Sequence, residues 1–184
     1  MSLEKKDFGF QIKALDKTGA FSGYGSLFDV EDSYSDIVRP GAFQASLKRS
    51  KKDGRMPAML WQHQHSDPIG VWTKMQEDDK GLYVEGQLAL DVRQGKEAYS
   101  LLKIGALNGL SIGFNTVKTL WDKEAERREL IEVNLWEVSI VTFPALSPAR
   151  IDDVKHVSAD TDLDDLADLR FALDLRSAAL NLYQ

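Results

Sequence analysis

The 184-residue chain reads as a mainly β protein with flanking helices, an antiparallel barrel or sandwich of roughly seven strands followed by a C-terminal amphipathic helix. Three observations predict this class. Residues 8–143 carry repeated short runs in which apolar and polar side chains alternate with period two, the mark of half-buried strands. Helical spacing interrupts these runs in only two places, too few for the strand–helix alternation of a βαβ fold. After Pro148 the pattern changes to spaced leucines, with acids first (Asp160, Asp162, Asp164, Asp165) and arginines later (Arg170, Arg176), the charge order that a helix dipole favours. The organisation expected is a barrel domain over residues 1–150, then a linker and amphipathic helix over 151–184.

Each element has its own signal. Phe8, Phe10, Ile12 and Ala14 alternate with Gly9, Gln11 and Lys13 in a strand that ends in the turn residues 16–19. A second strand over 21–28 follows at hairpin distance, its glycines suggesting a bend or close packing. Residues 29–39 read as a polar loop. Pro40 can open a short helix, where its missing N–H goes unused, with Phe43 and Leu47 four apart on one face. The basic run Lys48, Arg49, Lys51, Lys52 and Arg55 reads as a solvated loop. Residues 56–61 make an apolar strand that ends directly in Gln62-His63-Gln64-His65, and Asp67-Pro68 supplies the next turn.

Strands over 69–75 and 82–90 flank a tight connection at 77–81. Asp91 can cap a helix running to about residue 104, with Ala98, Leu101 and Leu102 inward and Gly105 at the stop. A strand at 107–114, an exposed turn at 122–128 and a long strand over 130–143 complete the domain. The last is apolar on both faces, which places it in the middle of a sheet or barrel.

Composition narrows the chemistry. Zero cysteines exclude a thiolate nucleophile, cysteine-ligated zinc and a disulfide scaffold. A net charge of -6 argues against nucleic acid as a partner. No apolar run is long enough to span a membrane, and the charged N-terminus lacks the apolar block of a secretory signal, so a cytoplasmic protein is expected.

Within residues 107–114, Leu110, Ile112 and Phe114 alternate with Gly109, Ser111 and Gly113, which leaves one face bare around a single hydroxyl. Ser111 therefore looks presented to solvent or ligand; relief of crowding at a barrel bend is the plainer role for the glycines. Three other features can carry chemistry: the pair His63 and His65, the acid Glu137, and Asp67. Glu137 shares sequence parity with Val133, Leu135 and Val141, so a carboxylate sits in an otherwise apolar row and needs a cation or donor. A serine, a histidine and a carboxylate are the minimum for acyl transfer by a hydroxyl. The same residues also permit a metal site of His63, His65 and Glu137, or a plain salt bridge for Glu137; spacing alone does not decide.

Four stretches in order resemble a known family. They are Gly23-Tyr24-Gly25-Ser26-Leu27-Phe28-Asp29 with Asp36-Ile37-Val38-Arg39-Pro40-Gly41-Ala42-Phe43; Leu60-Trp61-Gln62-His63 with Pro68-Ile69-Gly70; Gly109-Leu110-Ser111-Ile112-Gly113-Phe114; and Glu137-Val138-Ser139-Ile140-Val141-Thr142 with Pro144-Ala145. Together they resemble the tailed-phage prohead proteases of the HK97 type, which are similar in fold to the herpesvirus assemblins. Ser35 departs from the family by standing where a glycine is expected.

The resemblance implies an antiparallel barrel of the herpesvirus protease kind and a serine endopeptidase that removes scaffolding segments from capsid subunits. It implies Ser111 as nucleophile, His63 as general base and Glu137 as the residue that orients the imidazole, with His65 as an outside candidate for that third role. The partner implied is the major capsid protein or its scaffolding segment, in the assembling procapsid within the host cytoplasm. Self-cleavage and a homo-oligomer stay open; no metal, cofactor, nucleic acid or membrane is called for. The competing reading is a non-catalytic assembly module of the same fold that binds scaffold or capsid subunits. A C-terminal helix packed on the active-site face is one physical route to latency.

Overall fold

A computed structural model describes residues 4–8, 14–32 and 34–143. Eleven elements follow one another along the chain: β1 (Glu4–Phe8), β2 (Ala14–Leu15), β3 (Ala20–Leu27), β4 (Asp36–Val38), α1 (Gln44–Asp53), β5 (Ala58–Trp61), β6 (Gln64–Glu77), β7 (Gly81–Leu88), α2 (Arg93–Lys103), β8 (Gly109–Asp122) and β9 (Arg127–Val141). The strands form one nine-stranded sheet in the order β1-β8-β9-β5-β6-β7-β3-β2, with β4 also on β9.

This corrects the expected antiparallel seven-stranded barrel. The sheet is mixed, because β4 and β5 both run parallel to β9. Among the described residues no ladder joins β2 or β3 back to β1, so the sheet curls without closing. Side-chain periodicity shows where a strand is and which face is apolar, but not the direction of its neighbour.

β9 organises the sheet. At about 3.3 Å per residue it spans roughly 50 Å, and one edge is shared end to end by β4 at residues 128–130 and β5 at residues 137–140. Between the two ladders α1 and the turn before it take over: the Ala42 carbonyl accepts from Val133 N–H at 3.0 Å, and Ser46 Oγ accepts from Leu135 N–H at 2.9 Å. Buried backbone donors need acceptors, and the segment that carries the chain from β4 to β5 supplies them. Phe43 and Leu47 are buried in the core beside Met59, Ile69, Leu82, Val84, Ile112, Phe114, Val138 and Ile140.

Several local expectations change. The supposed polar loop at 29–39 contains β4, whose buried Asp36 takes a two-pronged ion pair from Arg128, at 2.8 and 2.6 Å. Three residues are too few for a periodicity to be visible. The basic run is the second half of α1, ended by Gly54 at φ +63°, with Arg55 N–H returning to the Ser50 carbonyl at 3.0 Å. Lys51 and Lys52 in its last turn suit the negative end of the helix dipole. α2 begins after Val92 with no side-chain cap, so Asp91 is not the cap expected. Asp67 and Pro68 lie within β6 and make no turn. The expected C-terminal helix, its latency role and the boundary at residue 150 fall outside the described residues.

Candidate active site

β8 and β9 form the floor of the site. Directly opposed residues across an antiparallel ladder share a face. Leu110↔Ile140, Ile112↔Val138, Phe114↔Leu135 and Thr116↔Val133 carry the core-facing row, while Gly109↔Val141, Ser111↔Ser139 and Gly113↔Glu137 carry the other. The register shifts between Gly113 and Phe114, so Trp136 is an extra residue in β9, a β-bulge. The bulge overturns the sequence parity of Glu137. Val133 and Leu135 belong to the core row, and Glu137 stands with Ser139 and Val141 on the face that carries Ser111.

The histidine comes from a hairpin. β5 and β6 are joined by Gln62 and His63 between the paired residues Trp61 and Gln64. Both turn residues have positive φ, +49° and +60°, which a two-residue turn of type I′ requires and which glycine or asparagine usually supplies. A left-handed backbone costs roughly 1–2 kcal/mol per non-glycine residue, so the turn must be held from outside. β9 holds it. Gln62 N–H donates to the Ile140 carbonyl at 3.1 Å, Gln62 Nε2 to Thr142 Oγ1 at 2.8 Å, Thr142 N–H to Gln62 Oε1 at 3.3 Å, and His63 N–H to Ser139 Oγ at 3.1 Å.

The held turn places the imidazole between the other two candidates. His63 Nε2 lies 2.6 Å from Ser111 Oγ, and Nδ1 lies 2.6 Å from Glu137 Oε1. The second carboxylate oxygen, Oε2, accepts from Ser139 Oγ at 2.6 Å. Glu137 is 2% exposed, Ser111 and Ser139 are 0%, and the His63 side chain is 10%. A carboxylate this buried is tolerable only when both oxygens are engaged, as they are here.

Two expectations about the serine change with this. Ser111 is buried, not presented. The bareness of its strand serves the carboxylate: a Cβ added at Gly113 would stand 2.8 Å from Glu137 Cδ and 2.9 Å from Cγ, and nearer still to Oε1. Glycine at 113 is therefore the space in which the acid lies, not an approach for ligand.

The structure thus brings Ser111, His63 and Glu137 together and leaves two candidates apart. His65 is exposed near the start of β6, since the strand does not continue through the turn. Asp67, half-buried in the same strand, has no part in the hydrogen-bond chain. Among the described residues no three His, Asp or Glu side chains gather closely enough to hold a metal ion, so His63, His65 and Glu137 do not form the alternative metal site. Ser139, Gln62, Thr142 and the Trp136 bulge escaped the sequence reading. Ser139 had a signal: it is two residues from Glu137, and period two puts both on one face.

Known proteins bear on this arrangement. Residues 8–163 match the family model described as caudovirus prohead serine protease. The chain is 36% identical over 143 residues to the prohead protease of Enterobacteria phage HK97, covering 77% of this chain and 62% of that protein. It is 31% identical over 157 residues to the capsid polyprotein of Pseudomonas phage PAJU2, 82% of this chain and 22% of the polyprotein. To the prohead protease of Escherichia phage T5 it is 28% identical over 116 residues, 62% of this chain and 53% of that protein. The match thus spans at most 62% of the length of these relatives. Among solved structures, the capsid assembly protease of bacteriophage T4 superimposes with a TM-score of 0.64 at 10% identity, over 77% of this chain and 98% of that one, a likeness of fold.

Proposed function

Since the chain belongs to the family of caudovirus prohead serine proteases, we propose that it is a serine endopeptidase that cleaves capsid subunits or their scaffolding segments in the assembling procapsid. The observation that carries this reading is the continuous chain Ser111 Oγ, His63 Nε2, His63 Nδ1, Glu137 Oε1, with 2.6 Å at both side-chain contacts. Ser111 is the nucleophile, His63 the general base and Glu137 the residue that orients the imidazole.

In the forward half-reaction His63 Nε2 takes the Ser111 proton as Oγ bonds to the scissile carbonyl carbon. The imidazolium formed is stabilised by Glu137. It then gives its proton to the departing amine as the C–N bond breaks, leaving an acyl-serine. A water attacks that ester, His63 takes the water's proton and returns it to Ser111 Oγ, and the new carboxyl terminus leaves. General base assistance of this kind contributes about 10²–10⁴-fold, and donors aimed at the developing oxyanion a few kcal/mol each.

The test is adduct mapping by mass spectrometry with a serine-reactive phosphonate on wild type, His63→Ala and Ser111→Ala. Modification of Ser111 that disappears in both variants is expected, together with loss of processing of a co-expressed capsid protein. A folded wild type that takes no adduct and cleaves nothing would overturn the assignment and favour an assembly module of the same fold.

A further inference from the structure

Ser139 closes a ring of hydrogen bonds around His63. Its Oγ meets His63 backbone N–H at 3.1 Å and Glu137 Oε2 at 2.6 Å, while Oε1 of the same carboxylate meets His63 Nδ1 at 2.6 Å. The proton positions in this ring follow from what each group is able to do. A backbone N–H only donates, so Ser139 Oγ is its acceptor and the hydroxyl hydrogen is left for Oε2. A carboxylate only accepts, so Nδ1 bears the ring hydrogen. Nε2 is then the nitrogen with the lone pair, and it is the one 2.6 Å from Ser111 Oγ.

The same hydroxyl also acts on the backbone. His63 sits at φ +60°, a conformation that a side-chain-bearing residue keeps only when its surroundings impose it. The bond from His63 N–H to Ser139 is one of those impositions, on the residue whose ring must aim at Ser111. Ser139 lies directly across the ladder from Ser111 and is 0% exposed, so no solvent competes for either bond. A single buried hydroxyl therefore grips the base at two points, its backbone directly and its ring through the carboxylate.

We propose that Ser139 is a positioning residue that fixes the tautomer and pose of His63. This rests on the reading of Ser111, His63 and Glu137 as an acyl-transfer centre. Without the hydroxyl, Glu137 Oε2 has one donor fewer and the carboxylate is free to turn, and the left-handed turn has one restraint fewer. Misplacement of a catalytic group by about 1 Å costs up to 10²-fold in rate, so a loss of about 10- to 100-fold is expected for Ser139→Ala. Ser139→Thr keeps the hydroxyl on a β-branched side chain suited to a strand.

The experiment combines phosphonate labelling rates at Ser111 with ¹⁵N-histidine NMR of His63. Expected are a wild type whose His63 is protonated at Nδ1, an S139A protein that labels about 10- to 100-fold more slowly with a mixed tautomer, and an S139T protein that recovers most of the rate. In the Glu137→Ala background S139A should slow labelling by less than it does in the wild type, because the route through the carboxylate is already lost and only the direct bond to the His63 backbone remains to be removed. An S139A protein with wild-type rate and an unchanged tautomer overturns the proposal. So does a wild-type spectrum with the proton on Nε2, which needs no variant to fold. A wild type that folds and shows the expected tautomer but takes no label overturns the acyl-transfer reading instead. The tautomer of S139A then still decides on Ser139.

Discussion

Replacing Gly113 by alanine displaces the carboxylate without substituting any of the three side chains in the hydrogen-bond chain. The added methyl group would stand 2.8 Å from Glu137 Cδ, where ordinary contact begins at 3.4 Å, and closer again to Oε1. Glu137 Oε1 is the atom that meets His63 Nδ1 at 2.6 Å, so the group that must retreat is the one proposed to orient the imidazole. A retreat of about 1 Å would break that bond and lower the Ser111 labelling rate by roughly 100-fold. Overpacking of a buried site adds a stability cost of about 1–3 kcal/mol, readable as a lower urea midpoint. The rate loss should exceed what partial unfolding explains. Glu137→Asp in the same protein withdraws the carboxylate by about one methylene and should restore stability more than rate, since overpacking is relieved but the reach to Nδ1 is shortened. Gly25→Ala serves as the control: its Cβ would lie 3.3 Å from Val138 Cγ1, a mild crowding inside the core, and labelling should be unchanged. A Gly113→Ala protein that labels Ser111 at the wild-type rate would refute the idea that this carboxylate contact matters to the reactivity of Ser111.

Ser35 has φ +58° where the resemblance leads one to expect glycine, so Ser35→Gly should relieve about 1 kcal/mol of left-handed strain, offset in part by unfolded-chain entropy, and raise the urea midpoint slightly with no change in labelling. A lower midpoint would contradict this. Ser46→Ala should cost about 1–3 kcal/mol, because the buried Leu135 N–H loses its acceptor; an unchanged midpoint would show that another group replaces the hydroxyl. Tyr24 donates to Asp78 at 2.7 Å, and that bond, with burial, raises its phenol from 10.0 to about 12. A folded value above the unfolded one means stabilisation present in full below pH 10 and lost as pH rises through about 12. The stability difference between wild type and Tyr24→Phe, about 1 kcal/mol at pH 8, should therefore shrink over that window, and a difference that grows would reverse the assignment.

The three residues that meet in the site were legible because each broke a local pattern: Ser111 as a hydroxyl between glycines, His63 at the abrupt end of an apolar strand, Glu137 as an acid among apolar neighbours. Their meeting was implied by the family resemblance but was not legible in the local patterns, because it depends on features with no period. Gln62 and His63 adopt a turn that sequence preference assigns to glycine and asparagine, and only the bonds from Ile140, Thr142 and Ser139 make it tenable. The parallel pairing of β5 on β9, which brings that turn over Ser139, leaves no mark on either strand's pattern. The bulge is the sharpest case. Counted along the chain, Glu137 falls in the row of Val133 and Leu135, and a carboxylate there would point into the core. The extra residue at Trp136 reverses the parity for everything after it, so one insertion in the ladder turns the acid, and Ser139 with it, onto the face that holds Ser111. Deletion of Trp136 would set Glu137 directly after Leu135 and keep it opposite Gly113 on the face of Ser111, whereas a ladder that paired Trp136 with Gly113 would leave every side chain of the site present and place Glu137 on the wrong side of the sheet.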